Sequence, residues 1–496
     1  MKLKLTIALH TLLIYGSLTA QNIFLNRDYW KNSPSLEQVK EDIHSGNDPT
    51  ELNKYAFDAT IYALLENSDD EVIKYLLSLD GNTIDKKTHD SRIYLHWAAY
   101  VERVTIVNYL LKKGSSYTDI DSRGYTPLAF AANAGRKNKE LYEAFEEHGV
   151  NLLDEKNSYG ADLLLLIAPS LISASELNYF LEKGFTLTSK DNKGNGIFNY
   201  AAKGGNIEFL KLLVEKGIEY KSVNNEGGNA VLYASMGKRG SDFTIESFEY
   251  LESLGLRINV VGHNGYNPLH RIAFNSHDDA LFDYFINKGV DINLQDYRGA
   301  SPFMNAANSN KLAILKLLFP KVTDINTQDY NGCSALAMAI NNNDVEVVEF
   351  LLENGADIGT IDKDGNTLAF YLLNTFGTNK NVAFEAKWKL LKAKGLLLNK
   401  RQKGGNTLLH LATLKNNLAL LKWLSSFNIN INATNNEGYT ALHLAAMKSD
   451  TDDILKHLLK HWANQAIRTE FGESVLELAS ENEQLQRNNV SLDFLK

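Results

Sequence analysis

One local pattern returns along this chain about every 33 residues. A glycine is followed by a capping residue, an apolar run and one or two alanines: Gly124-YTPLAFAA, Gly265-YNPLHRIA, Gly299-ASPFMNAA, Gly332-CSALAMAI, Gly405-NTLLHLAT and Gly438-YTALHLAA. Weaker copies stand at Gly160, Gly194, Gly227, Gly365 and Gly472. A unit this short cannot bury its own apolar face, so neighbours must stack and each unit packs only on the next. The 496 residues therefore do not translate into a number of globular domains in the usual way. A chain of this kind offers an extended surface rather than one pocket, and the leading question becomes what binds it.

Each unit can be read from its own letters. In Asp121-SRGYTPLAFAA the Asp and Gly predict a turn, because glycine tolerates positive φ. Thr126 predicts a helix N-cap, and Pro127 suits the first helical position, where no backbone N–H is needed. The same cap position holds Asp162, Asn229, Asn267, Ser301, Ser334, Thr367, Thr407, Thr440 and Ser474, all capping residues. A second helix follows with apolar spacing at i, i+3, i+4 and i+7, as in Ile207-EFLKLLVEKGIEY and Val345-EVVEFLLENGADI. Gly217, Gly289 and Gly355 read as its C-terminal stop. The alanines let two helices approach closely within a layer.

This period and this motif, including the T-P-L-H-like stretches, resemble the ankyrin repeat. The resemblance is most specific at Gly124, Gly265 and Gly438. It implies an all-α solenoid of helix-turn-helix units joined by β-turn hairpins, about twelve in number. The expected organisation is one continuous solenoid over 21–496, with an N-terminal cap at 21–55, repeats at 56–470 and a polar, truncated C-terminal cap at 471–496. Ser35-LEQVKEDIHSGNDP reads as an outer helix without its inner helix, and Phe57-DATIYALLENSDDEVIKYLLSL as a degenerate full unit. Tyr94-LHWAAYVERVTIVNYLLKKG is a good unit whose turn glycine is replaced by Ser91. The units at Gly160 and Gly194 depart most, the latter with Gly196 at the cap position. Two units are longer than the period, near Lys238 and Lys380, and these are candidate functional loops.

The first twenty residues read as a removable leader: a basic start at Lys2 and Lys4, an apolar run from Leu5 to Tyr15, and small residues up to Ala20. The mature chain is expected to begin at Gln21, and the chain reads as an exported, bacterial-type protein of the periplasm, extracellular release being the other export outcome. Loss of Lys2 and Lys4 takes the formal charge from −9 to about −11. An acidic chain repels phosphate backbones, which argues against nucleic acid as a partner. No apolar run reaches the length of a membrane span, so no integral membrane segment is expected. Cys333 stands alone, so no intramolecular disulfide can form.

Motifs that carry chemistry are missing from the sequence. It holds no Gly-rich phosphate loop, no CxxC, no HExxH and no GxSxG. His96, His270, His410 and His443 occupy one motif place in four separate units. In the ankyrin family that imidazole bonds to turn backbone, so the set implies structure rather than a metal site. His457 and His461 lie four apart on one predicted helix but lack a third ligand. Asp69/Asp70 and Asp452/Asp453 sit at second-helix starts, where they complement the helix dipole. No catalytic residue, cofactor or metal is expected.

The remaining feature is aromatic. Tyr125, Tyr266 and Tyr439 follow a turn glycine, while Tyr159, Tyr297, Tyr330 and Phe471 stand one or two places before one. In ankyrin proteins the turn tips and the exposed side of the first helices line a concave groove that grips partners. These seven residues are the candidate partner-binding positions, since tyrosine offers large area, few rotors and a polar tip. The same residues could instead brace one turn against the next. The expected function is a non-catalytic interaction module or adaptor of the cell envelope that binds another protein. An inhibitor or immunity protein against an exported toxin or enzyme is the alternative, and a glycan binder or cryptic enzyme is a third reading.

Overall fold

The computed structural model describes residues 22–238, 244–377 and 381–496. The expected leader and its cleavage point before Gln21 lie outside these residues, as do parts of the two longer loops. The described residues are helical, and helices come in pairs throughout. Among them β-structure is limited to isolated bridges within turns, such as Gln328 with Ser334 and Ile361 with Thr367. The chain forms two compact units: one is Met1–Ala201 with Glu208–Ile218, the other Ala202–Ile207 with Glu219–Lys496.

Local capping chemistry sets where each first helix begins. Thr126, Asp162, Asn229, Asn267, Ser301, Ser334, Thr367, Thr407, Thr440 and Ser474 each accept a backbone N–H from the first turn of the helix that follows. Such a cap satisfies a donor that the helix itself cannot, at a value of about 1 kcal/mol. Pro127, Pro268 and Pro302 occupy the first helical position, as their missing N–H allows. Without a side-chain cap, the helix after Gly196 still starts at the next residue, spanning Ile197–Gly204.

In the first unit the first helices Ala59–Leu65, Tyr94–Tyr100, Pro127–Asn133 and Leu163–Ile167 pack in succession. The second helices Leu36–His44, Asp70–Leu77, Val104–Lys112 and Lys139–Glu147 form a parallel row. Ala98, Ala99, Ala131 and Ala132 are fully buried at the layer contacts. The N-terminal end differs from the sequence expectation. Leu36–His44 is not an outer helix on its own, because the short helix Arg27–Lys31 precedes it and packs on Ala59–Leu65 in the inner position. Fully buried Phe24 and Trp30 anchor that short helix, and the Trp30 indole N–H donates to the Phe24 carbonyl at 2.9 Å. A five-residue helix, with Trp30 in it and Phe24 just before it, thus replaces an alanine-rich inner helix, a substitution the repeat pattern does not announce.

In the second unit Pro268–Asn275, Pro302–Ser309, Ala335–Asn342 and Leu368–Leu373 stack in order, as do Leu408–Leu414, Ala441–Lys448 and Val475–Glu481. Ala306, Ala307, Ala445 and Ala446 are fully buried between layers. The longest helix among the described residues, Asn381–Ala393, carries a buried lysine. Lys387 Nζ donates to the Ile340 carbonyl at 2.7 Å, supplying a donor near the end of Ala335–Asn342.

The turns are built by Asp and Asn side chains and then linked to one another. Asp296 Oδ1 accepts the N–H groups of Arg298 and Ala300, and Asp329 Oδ1 those of Asn331 and Cys333. Main-chain bonds run from tip to tip. In the first unit the Ser122 N–H donates to the Asp90 carbonyl and the Ser158 N–H to that of Gly124, at 2.8 and 2.7 Å. In the second unit Tyr297 donates to Asn264, Tyr330 to Arg298 and Lys363 to Asn331, at 2.8, 2.8 and 2.9 Å. Where Ser91 replaces the turn glycine, Asp90 and Ser91 both take positive φ, 56° and 58°, and the turn survives.

Candidate functional site

The turn tips carry the candidate residues, and a row of histidines holds the turns in place. His96 Nε2 donates to the Tyr125 carbonyl at 3.1 Å, and its Nδ1 accepts the Ile93 N–H at 3.3 Å. His270 reaches the Ala300 carbonyl at 3.2 Å, His410 that of Tyr439 at 2.9 Å and His443 that of Ile467 at 2.9 Å. Each imidazole thus ties its own helix start to the next turn. All four are fully buried, and burial lowers their pKa values, to about 4 for His96 and His270. A neutral ring that donates at one nitrogen and accepts at the other has no lone pair left for a metal.

The seven aromatics fall into two classes according to their side of the glycine. Tyr159, Tyr297, Tyr330 and Phe471, which precede it, are exposed at 54%, 58%, 57% and 83%. Tyr125, Tyr266 and Tyr439, which follow it, are partly buried. The position before the glycine is the apex of the turn, whereas the position after it already returns toward the helix. Tyr266 meets the His270 ring edge-on at 5.4 Å, and Tyr439 meets His443 at 6.3 Å. Burial raises the phenol pKa of Tyr125 and Tyr266.

Two arginines that the sequence reading passed over join this surface. Arg271 lies over the Tyr266 ring at 4.8 Å, and Arg298 over the Tyr297 ring at 5.4 Å. Arg298 also donates to the Tyr266 hydroxyl at 3.0 Å, and the two tyrosine rings meet at 5.7 Å. Tyr266 therefore belongs to a local arginine–tyrosine cluster, while Tyr330 stands more than half exposed beside it along the turn ladder. The available signal was positional: Arg298 sits beside the turn glycine, where its guanidinium can reach a neighbouring ring. Trp462 was also missed. It is 87% exposed at φ 70°, where other units place the helix-stop glycine.

The other singled-out groups have structural partners. The His457 and His461 rings meet tilted at 4.1 Å, with His457 Nε2 at 2.9 Å from the Ser425 hydroxyl and His461 Nδ1 donating to the His457 carbonyl at 2.8 Å. No cluster of three metal-ligating side chains occurs among the described residues. Cys333 Sγ lies 2.9 Å from the Tyr371 hydroxyl, which donates to Asp362 at 2.8 Å. Burial pushes the Cys333 thiol up, so it stays protonated. Asp69 and Asp452 are N-cap residues, with Asp70 and Asp453 in the first turns. No helix among the described residues is long and apolar enough to cross a membrane.

Comparison with known proteins agrees with this geometry. The model of the Ankyrin repeats (3 copies) family matches residues 60–154, 241–329, 269–362, 303–381, 379–471 and 409–488, together well over half of the chain. The chain is similar to Palmitoyltransferase AKR1 of Debaryomyces hansenii, with 27% identity over 182 residues, 31% of this chain and 22% of that protein. It is similar to the human Transient receptor potential cation channel subfamily A member 1, 24% identical over 284 residues, 57% of this chain and 22% of the channel. Ankyrin repeat-containing protein C6C3.08 of Schizosaccharomyces pombe is 26% identical over 158 residues, 32% of this chain and 53% of that protein. The chain spans about a fifth to about half the length of these relatives.

Proposed function

Because this chain belongs to the ankyrin-repeat family, whose arrays serve as protein-interaction modules and are typically non-catalytic, we propose that it is an exported adaptor. In this reading it acts in the cell envelope and grips a protein partner through its turn tips and the exposed side of its first helices. The observation that carries the reading is the exposed aromatic apex: Tyr297 and Tyr330 stand on adjacent turns, joined by the Tyr330 to Arg298 main-chain bond, and more than half of each is open to solvent. Large, rigid side chains with a polar tip are the residues that most often dominate binding energy. Tyr297 and Tyr330 both stay more than half exposed on successive turns even though Tyr297 also meets the Tyr266 ring at 5.7 Å. The leader-like start supports the envelope assignment.

The test is affinity capture from envelope extracts with the mature chain, followed by titration of the recovered partner. Tyr297→Ala and Tyr330→Ala should each weaken binding by about 2 kcal/mol, roughly thirtyfold, and lower melting less than Tyr266→Ala does. Tyr266→Ala should instead lower the melting temperature, since its ring packs against His270, Arg271 and Tyr297. Unchanged affinity in the Tyr297/Tyr330 double variant would remove the turn tips from the interface.

A further inference from the structure

Within the second unit a cleft of about 550 Å³ opens at the ends of the first helices, lined by Lys203, Met236, Gly237, Arg271, Phe274 and Ser309. Lys203, Met236 and Phe274 occupy the same place in successive repeats, counted from Gly194, Gly227 and Gly265. The repeat thus brings the ends of successive first helices to one wall. Two cations share that wall. Lys203 is partly buried, and no carboxylate pairs with it among the described residues; burial, and after it the like charge of Arg271, lowers its pKa. Arg271 likewise has no acid partner among the described residues and rests on the Tyr266 face at 4.8 Å.

Two cations side by side, with no acid partner among the described residues, repel each other in the free protein. Their arrangement is matched by a ligand that brings a negative charge. The walls narrow the choice further. Met236 is 41% exposed and Phe274 partly so, giving apolar surface that a hydrated inorganic anion does not cover. One wall reaches toward the turn tips by a chain of contacts: Arg271 lies on the Tyr266 ring, and Tyr266 meets Tyr297 at 5.7 Å.

Resting on the adaptor reading above, we propose that this cleft is a carboxylate-binding subsite of the partner interface. An acidic side chain of the partner polypeptide lies between Lys203 and Arg271, and a neighbouring apolar side chain of the same segment covers Met236 and Phe274. The partner segment is therefore acidic and apolar in alternation, although this protein is itself acidic overall.

The experiment selects random dodecapeptides displayed on phage against the full mature chain and measures the enriched peptides by fluorescence polarisation. Enriched peptides should carry Asp or Glu beside an apolar residue. Their affinity should fall at least about thirtyfold in the Lys203→Gln/Arg271→Gln variant, the usual scale for removing one side of a desolvated charge pair. Lys203→Arg should retain binding within about threefold, since charge is kept. Melting of Lys203→Gln should stay level or rise, because a like-charge contact is relieved; should the double variant not fold, Lys203→Met alone gives the same reading. Enrichment without acidic residues, unchanged affinity in the double variant, or full displacement by millimolar inorganic phosphate would overturn the proposal. Peptides lost on Tyr297→Ala/Tyr330→Ala but indifferent to Lys203 and Arg271 would overturn the cleft and leave the adaptor reading standing. No enrichment on any surface would overturn both.

Discussion

Replacing Gly299 by alanine tests whether the turns are held by the bonds between them. Gly299 has φ +81°, and a Cβ placed there lies 2.6 Å from the Tyr330 nitrogen and 2.7 Å from its ring. Two costs follow. An L-residue held in the left-handed region costs about 1–2 kcal/mol. The clash also forces the Tyr330 N–H away from the Arg298 carbonyl, losing a bond worth about 1 kcal/mol. The expected loss is about 2–3 kcal/mol. Gly365 provides the control, because its φ is +86° but an added Cβ meets no heavy atom within 4 Å. Gly365→Ala should show only the backbone cost, about 1–2 kcal/mol. The gain from a stiffer unfolded chain is common to both and cancels in the comparison. Urea melts followed by the fluorescence of Trp388 and Trp423 would measure the difference. Equal losses at the two positions, or none at Gly299, would refute the view that turn-to-turn bonding adds stability of its own.

Three further outcomes are expected. Ala445→Leu should overpack a fully buried layer contact and cost about 1–3 kcal/mol in denaturant melts; a neutral result would contradict the close approach of helices there. Lowering the pH should destabilise the fold through its buried histidines: His96 and His270 have folded pKa values near 4, below the ordinary 6.5. The unfolded state then binds more protons, so the contribution is whole above about pH 6.5 and is lost as pH falls toward 4, amounting to about 2 kcal/mol per histidine by pH 5. His270→Gln should flatten that slope, and an unaltered slope would show that the ring is not held neutral. N-terminal sequencing of the exported protein should find Gln21 first, possession of Met1 in cells being the contrary result.

How far the sequence carries depends on the range of the interaction. Thr126, Asp162 and Ser474 could be read as caps because an N-cap bond is closed within three residues. The layer alanines were legible for the same reason, since their spacing encodes the contact. Ser91 showed the limit: a missing glycine left the turn intact, because Asp90 and Ser91 adopt positive φ themselves. The Arg27–Lys31 helix was invisible to repeat logic, as buried Trp30 and the Phe24 that precedes the helix follow no period. The seven candidate aromatics were found as a set, but their split into exposed and half-buried classes was not. That split is decided by whether a residue stands at the turn apex or on the returning segment, and by rings from the next unit, as when Tyr297 closes on Tyr266. The nearness of Lys203 to Arg271 is likewise between repeats and has no local signature.

The adaptor reading is tested most directly by photo-crosslinking in intact cells. A photoreactive residue replaces Tyr297 or Tyr330 at the turn tips or, as a control, exposed Glu346 on a second helix. The account predicts one adduct of discrete size from the two tip positions, carried by the mature chain in the envelope fraction, and none from Glu346. Equal adducts from all three positions, or none at the tips, would contradict it.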